Sequence, residues 1–132
     1  MGTRTLLTVT AALMLFFGFG FILLPGLVFS IYGVALDPGG VMLARVAGAA
    51  IFSLGVLAWL GRGTRLPEAT RVVVAALCCF FVIKSIVTLI AQLAGVFNVL
   101  GWSILLIDVP LAVLYAREVF HKPSAKASLN LQ

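Results

Sequence analysis

Two opposite charges stand apart within the apolar C-terminal half of this chain. Lys84 and Asp108 each lie near the middle of a long apolar run, and the two runs meet at residues 94–98. Lys84 precedes Val96 by twelve residues and Asp108 follows it by twelve, so two antiparallel helices would place both charges at one height. A lone charge deep in hydrocarbon costs at least about 2.5 to 3.5 kcal/mol. We therefore expect Lys84 and Asp108 to form a buried salt bridge.

Arg45 is a third charge inside an apolar run, and two orientations are open to it. It lies seven residues beyond Pro38, about 10 Å along a helix axis, so its guanidinium can extend outward to lipid headgroups. In the other orientation it turns inward and completes an intramembrane charge cluster with Lys84 and Asp108. That cluster would carry one excess positive charge, which an anionic lipid, a small acid or a carboxylate of another chain would balance.

Three roles suit such charges. The pair can fix which helices pack together, Asp108 can exchange protons, or the charges can bind a ligand. The motifs of soluble enzymes are missing: the only histidine, His121, lies in the C-terminal tail, and the adjacent Cys78 and Cys79 have neither redox nor zinc-site spacing. We predict no catalytic residue, no metal site and no cofactor.

The composition predicts a membrane protein. Of the 132 residues 63% are hydrophobic and only 10% are charged, far from the values typical of soluble domains. Four apolar stretches are each long enough to cross a hydrocarbon core of roughly 30 Å, namely residues 5–24, 41–60, 72–94 and 99–116. We predict one all-α domain over residues 1–120, an antiparallel bundle of four transmembrane helices, followed by a flexible cytoplasmic tail over residues 121–132.

Basic residues flank the apolar stretches on alternate sides. They are Arg4, then Arg62, Arg65 and Arg71, then Arg117, Lys122 and Lys126. By the positive-inside rule, both termini and the loop at residues 61–71 are cytoplasmic, and the other two loops face outward. The net charge of +5 therefore reflects topology, and its scattered placement without interleaved aromatic residues argues against a nucleic-acid partner.

Small and polar residues indicate which helix faces meet. Residues four apart that let helix backbones approach closely are Ala44 with Gly48 and Ala49 with Ser53, and Gly55 follows them. Polar residues expected to line the interior beside the charges are Thr88, Gln92 and Tyr115. Asp37 followed by Pro38 is typical of a helix start, because the carboxylate caps free amides and proline suits the first turn.

Several segments together carry a resemblance to known proteins. They are Leu24-Pro25, residues 32–38 (YGVALDP), residues 43–50 (LARVAGAA) and residues 54–59 (LGVLAW). They resemble a broad set of uncharacterised small bacterial four-helix integral membrane proteins. The resemblance implies a four-helix bundle, favours the bacterial inner (cytoplasmic) membrane as the location, and draws attention to Arg45. It implies no activity.

Two functions are compatible with these observations. The first is a non-catalytic accessory or assembly subunit of a larger membrane complex, whose partners are the lipid bilayer and other membrane subunits or a second copy. The alternative is a carrier or binding protein for a lipid, quinone or small acid, with or without proton coupling, that uses Arg45, Lys84 and Asp108. A membrane enzyme ranks third. A closed, dry interior favours the subunit, and an open cavity at the depth of the charges favours the binding protein.

Overall fold

The computed structural model describes residues 1–121, and over that range the chain is all-helical, as predicted, with no strand. Its helices are α1 (Thr3–Leu23), α2 (Pro25–Ile31), α3 (Pro38–Gly61), α4 (Pro67–Leu93) and α5 (Gly101–Phe120). Three of them, α1, α3 and α4, are long and apolar enough to cross a membrane, as expected of an integral membrane protein. The predicted tail lies outside the described residues, apart from His121.

The helices extend beyond the apolar stretches because their first or last turns are polar. Helix α4 begins at Pro67, with Glu68 in its first turn, although the apolar stretch begins only at residue 72. Helix α5 continues to Phe120 and carries Arg117 in its last turn. The predicted cap at α3 is confirmed, since Asp37 Oδ1 accepts a hydrogen bond of 2.8 Å from the Gly40 amide.

Helices α1 and α3 pack backbone against backbone through glycines. A Cβ atom on Gly18 would lie 2.6 Å from the Phe52 amide nitrogen, and one on Gly48 would lie 2.7 Å from Phe21 Cβ. Gly55 is also close-packed, though less tightly, with Leu15 Cγ at 3.0 Å. The contacts ascend one helix as they descend the other, so α1 and α3 run in opposite directions. At Gly18 and Gly48 a residue with a side chain fits only if the two helices move apart.

Only one of the two predicted small-residue pairs in α3 takes part in this packing. Ala44 and Gly48 are buried, as is Gly55, whereas Ala49 and Ser53 are exposed on another face of the helix. The Ser53 hydroxyl donates back to the Ala49 carbonyl at 2.8 Å. Both pairs have the same spacing, so the side of α3 on which α1 lies decides which pair is buried within the chain.

Helices α4 and α5 contact each other along their length and meet α1 at Tyr115. The Tyr115 ring stacks on Phe81, with centroids 5.7 Å apart, and its hydroxyl donates to Thr10 Oγ1 at 2.8 Å. Thr10 and Tyr115 are both fully buried. The apolar core around them comprises Leu6, Leu7, Ala11, Met14, Ala58, Val73, Val74, Leu77, Phe81, Leu111, Ala112 and Tyr115.

Asn98 joins two loops at the end of the helices that lies away from Tyr115. Its side-chain amide donates to the Ile31 carbonyl, and its backbone amide donates to the Tyr32 carbonyl, both at 2.9 Å. Gly33, beside them, has φ +80°, a left-handed conformation that favours glycine. The connection between α2 and α3 is thus tied to the connection between α4 and α5, a link that the sequence analysis missed.

Candidate functional site

The predicted buried salt bridge between Lys84 and Asp108 is confirmed. The Lys84 ammonium donates to Asp108 Oδ2, and the pair links α4 to α5. The Asp108 side chain is only 5% exposed, whereas Lys84 is 31% exposed. The pair is therefore open on the lysine side and enclosed on the carboxylate side.

The structure does not bring Arg45 to this pair, so the charged site contains two charges rather than three. Arg45 is exposed on α3, where the neighbouring Ala44 and the nearby Gly48 are buried. Arg45 follows Ala44 and therefore lies roughly 100° around the helix from it. Because α1 packs on the face that carries Ala44 and Gly48, the arginine side chain lies outside that contact. Its outward orientation is the one in which a long basic side chain reaches headgroups.

A cavity of about 190 Å³ adjoins the ion pair. Lys84, Asp108 and Thr88 contribute its polar wall. Half of the remaining wall is aliphatic, and the other half is aromatic and consists of Phe17, Phe21, Phe29, Tyr32, Phe80, Phe81 and Phe97. The other two residues of the predicted polar lining, Gln92 and Tyr115, do not border it. An apolar chamber with a few convergent polar groups is the usual form of a small-molecule site.

Helix α2 contributes the wall that the sequence analysis did not anticipate. Proline at position 25 begins this short helix directly after α1 ends, and Val28 and Phe29 lie on the cavity wall. The Phe29 ring lies 5.2 Å from the Phe21 ring, measured between centroids. A Pro-Gly pair does not by itself reveal which way the next helical turn folds.

Two polar atoms near the cavity are buried without a hydrogen-bond partner within residues 1–121: Ser85 Oγ and Gln92 Oε1. The Gln92 side chain makes a hydrogen bond through its nitrogen instead: Nε2 donates to the Asn98 carbonyl at 3.2 Å. Ser85 follows Lys84 on α4 and is half-buried. Neither atom borders the cavity, so the ligand contacts that the site offers come from Lys84, Asp108 and Thr88.

The described part of the chain holds no group of three or more residues suited to bind a metal ion. Cys78 is half-buried, Cys79 is exposed, and both are free thiols. Besides aliphatic side chains, the groups that line the cavity are the Lys84 ammonium, the Asp108 carboxylate, the Thr88 hydroxyl and the aromatic rings. This set is suited to binding a polar group by hydrogen bonds in apolar surroundings.

Comparison of the chain with protein-family models, with curated proteins and with solved structures gives no match. The resemblance to small bacterial four-helix membrane proteins stays a prediction.

Proposed function

We propose that this protein crosses the membrane four times, with both termini cytoplasmic, and binds a small lipophilic molecule in the cavity beside Lys84 and Asp108. The observation that carries the proposal is the cavity itself, about 190 Å³ in volume, with aromatic walls and one ion pair. A helix-pairing role needs the ion pair but no empty space beside it. Open volume at the depth of the charges favours a binding protein over a purely structural subunit.

The fourth crossing is α5. This helix has 20 residues but carries three charged ones, Asp108, Arg117 and Glu118, which set it apart from α1, α3 and α4. Asp108 is paired with Lys84, and Arg117 and Glu118 lie in or beside the last turn, where polar groups reach water. The 20 residues of the helix extend over about 30 Å, the thickness of the hydrocarbon core.

The distribution of basic residues supports the cytoplasmic side. Basic residues cluster at residues 61–71 and near both termini, as the positive-inside rule requires. The Arg62 guanidinium lies over the Trp59 ring, 3.2 Å from its centroid, and tryptophan is enriched at both membrane interfaces, so this contact is consistent with a position near the end of a span. Placement in a bacterial inner membrane rests on the resemblance described above.

The cavity is large enough for a ring-sized group. A cavity of about 150 Å³ in another protein holds benzene, so this one has room for one substituted ring or a few methylene groups. Its wall includes Ile107, which is 39% exposed, so a longer ligand can leave part of its chain in the surrounding lipid. We infer a ligand that resides in the bilayer and inserts one end.

Retention of a ligand through purification tests this function. The protein would be purified in nanodiscs, and bound lipophilic molecules would be extracted and identified by mass spectrometry. Ile104→Trp places a large ring on the cavity wall, whereas Leu106→Trp changes a side chain on α5 that is 76% exposed. We expect wild type and Leu106→Trp to retain the same molecule and Ile104→Trp to lose it. Equal retention in all three proteins contradicts the proposal.

The accessory subunit is a second candidate, and the outer face of α3 favours it. Ala49 and Ser53 are small, four apart and exposed, so they are free to pack against a helix of another membrane subunit or of a second copy. Cross-linking in native membranes tests this role. Ala49→Leu is expected to abolish any cross-linked species, and Ile86→Ala, at an exposed position of α4, is expected to preserve it.

A further inference from the structure

We propose that the ligand of the cavity is a neutral quinone-like ring, a planar ring with carbonyl or hydroxyl oxygens that carries an aliphatic tail. This inference rests on the proposed binding function and specifies its ligand class. It concerns binding alone and assigns no electron transfer to the protein. Three properties of the cavity support it: its charge balance, its hydrogen-bonding groups and its aromatic walls.

The charge balance favours a neutral ligand. Lys84 is already paired with Asp108, and among residues 1–121 these are the only charged residues on the cavity wall. An acid or a phosphate group would add an uncompensated negative charge beside a buried carboxylate, which is costly at low dielectric. Arg45 would balance such a charge if it bordered the cavity, but it is exposed on α3 and absent from the wall. Small acids and phospholipid headgroups therefore fit poorly.

The hydrogen-bonding groups match both oxidation states of such a ring. Lys84 uses its ammonium to donate to Asp108 Oδ2 and has further N–H groups for a carbonyl oxygen. Asp108 Oδ1 remains free to accept a hydrogen bond from a ring hydroxyl. The Thr88 hydroxyl lies one helical turn from Lys84 on the same wall and can donate or accept. A ring carbonyl and a ring hydroxyl can thus both be hydrogen-bonded without a change in the protonation of Lys84 or Asp108.

The aromatic walls and the volume favour a ring over acyl chains. Six phenylalanines and Tyr32 border the cavity, and aromatic side chains pack edge-to-face or offset against planar rings. A volume of about 190 Å³ holds a ring but not the two acyl chains of a phospholipid. The tail would extend past Ile107, which is exposed at the cavity wall.

Photolabelling with an azido-quinone that carries a decyl tail tests the inference. The full chain in phosphatidylcholine nanodiscs is irradiated with the probe, and labelled peptides are mapped by mass spectrometry. Competitors with the same tail length are decylubiquinone and decanoic acid, added at equal mole fraction in the lipid. We expect labels in the peptides that contain Phe80, Phe81 and Ile104, and decylubiquinone to compete at least about tenfold better than decanoic acid.

Variants sharpen the test. Ile104→Trp should reduce the labelling about tenfold, whereas Leu106→Trp should leave it unchanged. The double variant Lys84→Met/Asp108→Leu removes both polar groups but keeps the site neutral, and it should reduce competition by decylubiquinone. Equal competition by decanoic acid overturns the ligand class. So does labelling that is unaffected by Ile104→Trp.

Failure of the ligand class and failure of the proposed function give different results. If another lipophilic molecule is retained by wild type and lost from Ile104→Trp, the cavity binds a ligand but the quinone-like ring is wrong. If nothing is retained and no probe labels the cavity walls, the binding function itself is wrong.

Discussion

The Tyr115 hydroxyl donates a hydrogen bond of 2.8 Å to Thr10 Oγ1, and both side chains are fully buried. This bond joins α5 to α1, while the Tyr115 ring stacks on Phe81 of α4. One residue therefore connects three helices. Towards the loop that contains Asn98, the space between the same helices is the cavity beside Lys84.

Removing this bond should destabilise the protein modestly. Tyr115→Phe keeps the ring stacked on Phe81 but leaves the Thr10 hydroxyl without its donor, so we expect a loss of about 1 kcal/mol. Thr10→Val should cost a similar amount. The double variant should cost less than the sum, because no buried polar group is then left unpaired. Unfolding in mixed micelles, followed by circular dichroism, measures all three. Strict additivity would show that the two hydroxyls are not coupled.

Two glycines of α1 should respond very differently to alanine. In Gly18→Ala the new Cβ lies 2.6 Å from the Phe52 amide nitrogen, so α1 and α3 must separate, and we expect a loss of about 1 to 3 kcal/mol. In Gly20→Ala the nearest atom is a side-chain methyl of Val28 at 3.6 Å, an ordinary contact. This control should be neutral or slightly stabilising. Thermal unfolding in detergent compares them, and equal effects would contradict the close packing.

The two charges of the pair should depend on each other, and Arg45 should not matter for stability. Lys84→Met and Asp108→Leu each break the salt bridge, and we expect each to cost about 2 to 3 kcal/mol because one charged group loses its partner. The combined Lys84→Met/Asp108→Leu variant should be closer to wild type. Arg45→Met, the matched control on α3, should stay within about 0.5 kcal/mol. Unfolding free energies give the comparison, and additive losses would contradict coupling.

The Asn98 clamp, meaning the hydrogen bonds from Asn98 to the Ile31 and Tyr32 carbonyls, should control how readily the loop between α2 and α3 opens. Asn98→Asp removes the donor to the Ile31 carbonyl but keeps an oxygen for the Leu100 amide. We expect the amides of residues 32–36 to exchange with deuterium about fivefold faster, which corresponds to about 1 kcal/mol. Ser30→Ala, which removes only a local bond to the Leu27 carbonyl, is the control. Unchanged exchange in Asn98→Asp would show that the clamp does not hold the loops.

The proposed topology predicts which loops are accessible from each side. In a background with Cys78→Ala and Cys79→Ala, Thr64→Cys should react with a membrane-impermeant maleimide only from the cytoplasmic side. Ala35→Cys should react only from the opposite side. Labelling of intact and of inverted vesicles distinguishes the sides. If both positions react from one side, the number of crossings between them is even, and four spans are excluded.

The charged pair could be predicted because it depends on chain counting within one helical hairpin. Lys84 and Asp108 lie at equal distances from the turn, and one rise per residue places them at one height. The cap at Asp37 is similarly local. Such features need only the geometry of one helix or of two consecutive helices.

The orientation of Arg45 and the contacts of Asn98 could not be predicted, because both depend on how distant segments pack. In α3 two small-residue pairs have the same spacing, and only the position of α1 decides which one is buried and where Arg45 points. Asn98 contacts the carbonyls of Ile31 and Tyr32, which are more than sixty residues away in the chain. The cavity is a further example, because its volume depends on how α2 folds back over the other helices.

The exposure of Ile107 at the cavity wall has a consequence for how affinity must be expressed. A guest that enters past this residue arrives by lateral diffusion within the leaflet and never dissolves in water on its way. Occupancy is then set by the ratio of guest to lipid molecules, so titrations at different nanodisc concentrations should superimpose when plotted against mole per cent.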